Sequence, residues 1–247
     1  MSIKKIFNYS PNFSLKKREN SQIKFLIFHY TGMRSEIDAI NRLTTIQSEV
    51  SCHYLIKING DIVVMVPDLY IAWHAGKSSW KNYKALNKNS IGIEISNPGH
   101  EFNYKKFSKI QMRSILKLSK YLMKKYEIDP INILGHSDIA PDRKKDPGEK
   151  FPWQYLAKRG VGRWHSLSSK SLEKNRMKKI NLSMKFFFYK NLIKIGYSRN
   201  NSKNMKKKKF LKFITQAFQR RFRQKLINGK IDQECLMISD NLVKKYN

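Results

Sequence analysis

Two histidines stand where short apolar segments end. His29 lies near the end of Lys24–Tyr30, KFLIFHY, and His136 follows closely after Ile131–Leu134, INIL. We predict that both segments are buried strands. A side chain at a strand end is held rigidly and still reaches solvent, which is an arrangement that suits catalysis.

The loop that begins at His136 carries three candidate carboxylates. Its sequence, HSDIAPDRKKDPGEKFPW, holds Asp138, Asp142 and Asp146. Two histidines and one carboxylate with an open fourth position form a catalytic zinc site, which acidifies a bound water and polarises a carbonyl group. Spacing alone does not choose among the three aspartates. Two structural histidines held by hydrogen bonds are the alternative.

Glu94 interrupts a third apolar segment, Ser90–Ser96, SIGIEIS. On a strand its neighbours Ile93 and Ile95 would point to the opposite face. A carboxylate in such a strand is costly unless it is paired or used. Glu94 is therefore either a general base whose pKa is raised by burial, or a carboxylate held in a salt bridge at the edge of a sheet.

The elements that must position these residues alternate between strand and helix patterns. Asn59-Gly60-Asp61 separates His53–Ile58 from Ile62–Val66, and this predicts a hairpin because Asn-Gly accepts the positive φ of a tight turn. Helices are predicted over Glu36–Gln47, Ser108–Tyr126 and Phe151–Arg159. The alternation favours an α/β domain with a mixed central β-sheet flanked by helices.

The composition changes at residue 166. All six histidines and all four tryptophans lie before it, and Ser166–Lys179 has the composition of a linker. Beyond it we predict helices over Leu182–Ile195, Lys208–Arg223 and Asp232–Lys245. The predicted organisation is a catalytic domain over 20–165, a linker over 166–179 and a small all-α domain over 180–247.

The chain is strongly basic, with 50 Lys and Arg against 18 Asp and Glu and a formal charge of +32. Residues 166–247 hold 22 of the basic and 4 of the acidic residues. Such a charge favours polyanionic partners, although a compositional drift towards Lys, Asn and Ile would also produce it. A nucleic-acid binder is the corresponding hypothesis, and Lys206–Lys209 motivates it, but no nucleic-acid motif accompanies the charge.

Several classes of protein are excluded. Two cysteines, Cys52 and Cys235, cannot build a disulfide framework or an all-cysteine zinc module. No stretch approaches the roughly 18 consecutive apolar residues of a membrane span, so we expect no transmembrane segment. The first twenty residues carry neither the apolar run of a secretory signal nor a lipoprotein cysteine.

Five motifs, taken in order, resemble the zinc-dependent N-acetylmuramoyl-L-alanine amidases, which share their fold with the peptidoglycan-recognition proteins. They are LIFHYTG, SCHYLI, AWHAGKSSW, NSIGIEISNPG and GHSDIAPDRKKDPGEKFPW. The resemblance covers Lys24 to Gly162. Three weaker matches, Gly196-Tyr197, ITQAFQRRFR and NGKIDQE, are similar to the small three-helix peptidoglycan-binding domain that follows the amidase in the AmiD branch of this family.

This resemblance implies a catalytic centre with one Zn²⁺ per chain. The zinc ligands of the family fall on His29, His136 and Asp146. The catalytic glutamate falls on Glu94. The lysine that faces the developing oxyanion falls on Lys144.

The resemblance also implies roles for residues around that centre. Trp73 and His74 match a segment that lines the substrate groove. His53 matches a histidine inside the domain, which we interpret either as structural or as a residue that supports the metal ligands. Asp138 and Asp142 would then be turn and surface residues.

The activity that the resemblance implies is hydrolysis of the amide bond between N-acetylmuramic acid and L-alanine, in peptidoglycan or muropeptides. A non-catalytic peptidoglycan-recognition protein is the alternative, although binding alone needs none of the metal ligands. The family branch favours the periplasm or the outer-membrane-associated envelope, and the cytoplasm is the alternative because no export signal is visible. We expect a monomer.

Overall fold

The computed structural model describes residues 5–198 and 205–246, which form a mixed α/β fold. The described strands, in chain order, are β1 (Ile6–Phe7), β2 (Phe13–Ser14), β3 (Phe25–Phe28), β4 (Tyr54–Ile56), β5 (Ile62–Val64), β6 (Ile71–Ala72), β7 (Ser79–Trp80), β8 (Tyr83–Lys84), β9 (Ser90–Ile95) and β10 (Ile133–Gly135). Six of them form the central sheet in the order β1-β5-β4-β9-β3-β10. The sheet is mixed, as predicted, because β4 and β5 are antiparallel while the other neighbours are parallel.

The predicted hairpin is confirmed between β4 and β5, where Leu55 pairs with Val63. Gly60 in its turn has a φ of +85°, which favours glycine. The last predicted strand begins later than expected. Asp129 caps a 3₁₀ turn over Pro130–Asn132, so β10 starts only at Ile133.

The helices of the described residues are α1 (Glu36–Thr44), α2 (Lys109–Tyr126), α3 (His136–Ile139), α4 (Trp153–Ala157), α5 (Ser169–Asn175), α6 (Leu182–Ile195), α7 (Lys207–Phe222) and α8 (Gln233–Tyr246). The start of α2 is set by a capping box, in which Ser108 Oγ accepts the Gln111 N–H and the Gln111 side chain accepts the Ser108 N–H. None of these helices is both long enough and apolar enough to span a bilayer.

One face of the sheet packs against α2. The buried side chains of this hydrophobic cluster alternate along the strands, as a period of two requires. They include Ile91, Ile93 and Ile95 of β9 together with Ile115, Leu118 and Leu122 of α2. This face is packed with apolar side chains and carries none of the candidate catalytic side chains.

The opposite face is covered in part by the C-terminal helices. Phe25 and Ile27 of β3 share a second hydrophobic cluster with Phe188 of α6, Phe218 of α7 and Ile238 of α8. The segment predicted as a linker contains α5, whose Leu172 is buried in the same cluster. The helical part of the chain is thus packed on the sheet, and its division into a separate domain stays a prediction.

Asp138 corrects one expectation, because it is not a surface residue. Its carboxylate is buried and forms a 2.6 Å ion pair with Arg221 of α7. Asp138 also accepts hydrogen bonds from the Tyr197 hydroxyl at 2.8 Å and from the Gly135 N–H at 2.9 Å. The C-terminal helices are therefore tied to the turn that carries His136.

Replacing Arg221 with methionine should strongly destabilise the chain. The substitution leaves the Asp138 carboxylate buried without its counter-ion, and breaking a buried pair in this way costs roughly 3–5 kcal/mol. Urea unfolding would measure the loss. The double variant that adds Asp138→Asn should recover part of it, since no buried charge is then left alone. A loss below about 1 kcal/mol in the single variant would contradict this role for the pair.

Candidate active site

Three adjacent parallel strands bring three candidate residues to one edge of the sheet. Phe28 of β3 is the partner of Ile93 on β9 and of Gly135 on β10. The next position along the chain is Glu94 on β9, His29 just after β3 and His136 just after β10. These three residues therefore lie side by side. Carboxyl ends of parallel strands are the usual place for ligands in α/β sheets.

Alternation decides the face on which these side chains lie. His29 follows Phe25 and Ile27 at a spacing of two, and both belong to the cluster under the C-terminal helices. Glu94 lies opposite Ile93, which belongs to the cluster under α2. The site thus lies on the sheet face that the C-terminal helices only partly cover.

The loop after α3 returns Asp146 to the two histidines. His29 Nδ1 and His136 Nδ1 are 2.9 Å apart, and each lies 3.0 Å from Asp146 Oδ2. Tetrahedral zinc ligands at their normal bond lengths lie about 3.3 Å from one another. The three buried atoms therefore fit one metal ion with small adjustments. Among the described residues, His29, His136 and Asp146 form the group that could hold a metal ion, and we call these three residues the metal group.

Outer hydrogen bonds set the orientation of both imidazole rings. His136 Nε2 lies 3.2 Å from the Ala75 carbonyl oxygen, so it donates there and leaves Nδ1 free as a ligand. His29 Nε2 lies 3.1 Å from His74 Nδ1, and His74 Nε2 lies 3.2 Å from Ser90 Oγ. This is the arrangement by which proteins hold metal-binding histidines.

Two glycines make room for this arrangement. A Cβ at position 92 would lie 2.3 Å from the His74 ring, so Gly92 of β9 lets that ring pack flat on the strand. A Cβ at position 135 would lie 2.7 Å from Pro147 Cδ, where the loop carrying Asp146 crosses β10. His53 is buried and accepts the Gly92 N–H at 3.0 Å, so it is held against β9 inside the domain.

The charges of the site suit a cation. Burial and the neighbouring His136 lower the pKa of His29 to about 4, so its imidazole is neutral at pH 7 and can bind a metal. Burial tends to raise the pKa of Asp146, but the interactions with His136 and His29 outweigh burial and hold it well below its usual value. At neutral pH the site therefore presents the neutral His29 imidazole beside the Asp146 carboxylate.

Glu94 stands beside this group with an unused oxygen. Among the residues that the structure describes, none forms a hydrogen bond with the buried Glu94 Oε2. Burial and the charge of Asp146 raise the pKa of Glu94 well above its ordinary value, and the Lys144 ammonium partly opposes that rise. The salt-bridge alternative for Glu94 is wrong for the described residues, because none of their ion pairs includes it.

His136, Asp146 and Glu94 line a cavity of about 720 Å³. Trp73, His74 and Lys144 line it as well, so six of the seven candidate residues line one cavity. The seventh, His29, is in contact with His74 on the cavity wall. Trp73 Nε1 donates to Ser14 Oγ at 3.2 Å, which fixes the ring at the cavity wall. His74 contacts the cavity, but both of its ring nitrogens are engaged by protein atoms.

Sequence reasoning missed a hydrogen-bonded chain at the rim of this cavity. The Tyr30 hydroxyl lies 2.8 Å from His100 Nδ1, and His100 Nε2 lies 3.0 Å from Glu149. It also missed Arg143, whose guanidinium donates to the Ala75 and Lys77 carbonyl oxygens and closes the wall beside His136. These residues lie in irregular loops, and only the Asn-Pro-Gly turn before His100 offered a local signal.

Comparison with known proteins agrees with this geometry. The sequence profile described as N-acetylmuramoyl-L-alanine amidase matches residues 19–149, which contain the metal group, Glu94 and Lys144. The chain belongs to the N-acetylmuramoyl-L-alanine amidase family. It is 33% identical to the amidase AmiD of Escherichia coli over 237 residues, or 91% of this chain and 84% of that protein. It is 34% identical to the 1,6-anhydro-N-acetylmuramyl-L-alanine amidase AmpD of Haemophilus influenzae over 168 residues, or 60% and 88%.

Two solved structures extend the likeness to the C-terminal helices. The Escherichia coli AmiD complex with anhydro-N-acetylmuramic acid-L-Ala-D-gamma-Glu-L-Lys superposes with a TM-score of 0.78 and 34% identity, covering 91% of this chain and 90% of that one. AmpDh3 of Pseudomonas aeruginosa with anhydromuramic pentapeptide superposes with a TM-score of 0.78 and 28% identity, covering 96% and 97%. Both coverages reach beyond the part of the chain that the amidase profile matches.

Proposed function

We propose that this amidase hydrolyses the bond between the lactyl group of N-acetylmuramic acid and L-alanine, in muropeptides or peptidoglycan, with zinc as its metal. The observation that carries the proposal is the convergence of His29, His136 and Asp146 beside Glu94 in an open cavity. Family membership supports the same reaction. Cell wall turnover and recycling is the process that this reaction serves.

His29, His136 and Asp146 would hold the zinc ion. The donor set supports this assignment, since two imidazoles and one carboxylate with an open position are a common catalytic zinc site. When bound, zinc supplies Lewis acidity towards the scissile carbonyl and lowers the pKa of a water. The remaining steps depend on side chains of the protein.

Glu94 is proposed as the general base and then the general acid. Its free Oε2 would accept a proton from the attacking water as the new carbon–oxygen bond forms. The same proton would pass to the alanine nitrogen as the carbon–nitrogen bond breaks, so that the leaving group departs as an amine. The raised pKa of Glu94 supports this role, because a carboxyl group that is too acidic would not return the proton.

Lys144 is proposed to stabilise the oxyanion that forms on the lactyl carbon. Its ammonium lines the cavity and acts electrostatically on both Glu94 and His29, which places its charge near the reacting atoms. Such a contact contributes about 3–4 kcal/mol to the transition state.

Replacing Lys144 with alanine should lower kcat by about 10²–10³-fold, because the stabilising charge acts only when the oxyanion develops. Steady-state cleavage of a defined muropeptide would measure the change. Lys145→Ala is the matched control, since it removes the adjacent charge from the same loop. Equal effects of the two variants would show that general electrostatics, and not Lys144, supports the reaction.

The remaining walls of the cavity suit the two halves of a muropeptide. Trp73 offers a ring face for contact with the sugar, and Arg34 and Arg42 present positive charge to the carboxylates of the peptide stem. We infer that His74 acts mainly through His29, since its ring nitrogens face His29 and Ser90. Its position on the wall still allows contact with substrate.

Metal exchange tests this function directly. The purified chain would be stripped with a chelator, incubated with an anhydro-N-acetylmuramyl tripeptide, and then supplied with zinc, magnesium or calcium. The proposal expects release of the free peptide, detected by mass spectrometry, only after zinc is restored. Undiminished cleavage by the stripped chain, or restoration by magnesium and not zinc, would overturn the metal assignment. Binding of muropeptide without cleavage would support a recognition protein instead.

We infer the cell envelope as the place of action, because the polymer that carries this bond lies there, and the bacterial relatives are cell wall amidases. Soluble muropeptides inside the cell are the alternative substrate, and the names of the AmpD relatives refer to the anhydro form. Fractionation of cells that produce the tagged full chain would separate the two locations.

A further inference from the structure

Helix α6 is apolar on two faces. Its inner face holds Phe188, Leu192 and Ile195, which are fully buried in the cluster shared with the sheet. A helix at the surface of a protein normally presents polar residues on its other side. In α6 that side instead exposes four large apolar residues, Leu182 at 82%, Phe186 at 56%, Phe187 at 46% and Ile193 at 42%.

Three of the four form a continuous stripe. Leu182, Phe186 and Ile193 follow the spacing i, i+4 and i+11, which places them along one line of an α-helix. We call Leu182, Phe186, Phe187 and Ile193 the outer surface of α6. Scattered exposed apolar residues are ordinary, but a run of them along one helix marks a contact surface.

Lysines border this outer surface. Lys185 lies on one side of the stripe, and Lys190 and Lys194 lie on the other, as helical spacing requires. Lys190 Nζ sits 4.8 Å from the centre of the Phe186 ring, so charge and apolar surface adjoin. The helix contains no acidic residue, and Lys178 and Lys179 precede it. The partner of this surface must therefore accept apolar side chains and supply negative charge.

We propose that the outer surface of α6 docks on the surface of an anionic lipid bilayer. Phe and Leu side chains enter the boundary between head groups and acyl chains, while flanking lysines meet lipid phosphates. The helix would lie in the plane of the membrane surface, since none of the described helices can span it. The amidase cavity belongs to another part of the chain, so docking and cleavage are separate properties.

Two other partners fit the outer surface of α6 less well. A second copy of the chain, related by a two-fold axis, would place the lysines of one α6 against those of the other, and the +32 charge of each chain adds repulsion. A glycan strand would stack on Phe186 and Phe187, but Leu182 and Ile193 offer its hydroxyl groups no hydrogen-bonding partner.

The test compares vesicle binding by the full chain and a matched pair of variants. Phe186→Ser with Ile193→Ser removes part of the outer surface, whereas Leu15→Ser with Ile37→Ser removes two apolar residues that are even more exposed and lie elsewhere on the chain. Vesicles of phosphatidylcholine with phosphatidylglycerol, or of phosphatidylcholine alone, would be sedimented with each protein. We expect the Phe186→Ser and Ile193→Ser variant to bind anionic vesicles at least about tenfold more weakly than the parent chain. The control variant should bind anionic vesicles as the parent chain does. All three proteins should bind neutral vesicles poorly.

A second measurement distinguishes insertion of the helix into the membrane surface from misfolding of a variant and from attraction by charge alone. Phe186→Trp should shift its fluorescence to shorter wavelength when anionic vesicles are added, because the ring leaves water. An unshifted spectrum, or equal binding by the two serine variants, would overturn the proposal and leave only non-specific charge. Loss of binding to isolated cell wall sacculi, with vesicle binding unchanged, would assign the surface to glycan and overturn it as well. Thermal unfolding would confirm that each variant is folded.

Discussion

Replacing Glu94 with glutamine is expected to lower muropeptide cleavage by about 10²–10⁴-fold while the chain keeps its metal and its fold. Glutamine has nearly the same size, so β9 and the sheet should be unaffected. The amide cannot accept the proton of the attacking water or deliver it to the leaving amine. The measured loss would therefore belong to proton transfer and not to packing.

Three measurements on the same purified Glu94→Gln variant distinguish the possible roles of Glu94. Cleavage rate tests the base, metal content tests ligation, and urea unfolding tests structure. Near-normal turnover would assign the base to another group. Loss of zinc would make Glu94 a ligand, although its carboxylate makes no contact with His29, His136 or Asp146 among the described hydrogen bonds. Asp142→Asn serves as the control, since Asp142 is partly exposed and lies outside the metal group.

Replacing His136 with alanine is expected to leave the chain almost free of metal and without measurable activity. The substitution removes one of the three proposed ligands, and the two that remain should hold zinc poorly. The loss of affinity should exceed the roughly 10–100-fold that removal of an outer hydrogen-bond partner causes. His74→Ala should cause the smaller loss, because His74 contacts the proposed ligand His29 and lies outside the group of three proposed ligands.

Metal content after dialysis, and zinc affinity by competition with a chelator, would measure this difference. Zinc affinity is expected to be highest for the parent chain, lower for His74→Ala and lowest for His136→Ala. Full occupancy of the His136 variant would remove His136 from the ligand set. Equal losses in both variants would mean that His74 supports the site as strongly as a ligand does.

Much of the site could be predicted because its residues stand at strand ends with strong local patterns. The apolar run before His29 and the alternation around Glu94 each mark a strand and the face of its side chains. Spacing could not choose Asp146 over Asp138, and the resemblance to amidases made that choice. The return of Asp146 depends on the path of a loop, which periodicity does not describe.

Long-range contacts account for what sequence reasoning missed. The sequence does not reveal that Asp138 is buried in an ion pair, because its partner Arg221 lies 83 residues away in another helix. The hydrophobic patterns predict the C-terminal helices but not their packing on the sheet. An apolar helix face indicates burial, but it does not identify the element against which the helix packs. Strands of two residues, such as β1 and β7, are too short to show alternation.

The origin of the new oxygen atom tests the central claim most directly. The full chain with zinc would cleave an anhydro-N-acetylmuramyl tripeptide in water enriched in oxygen-18, and both products would be analysed by mass spectrometry. Hydrolysis of the lactyl amide predicts one heavy oxygen in the carboxylate of the muramic acid product, and an unlabelled peptide with a free alanine amine. Label in the peptide, or at the sugar ring, would mean that another bond is cut and would contradict the account.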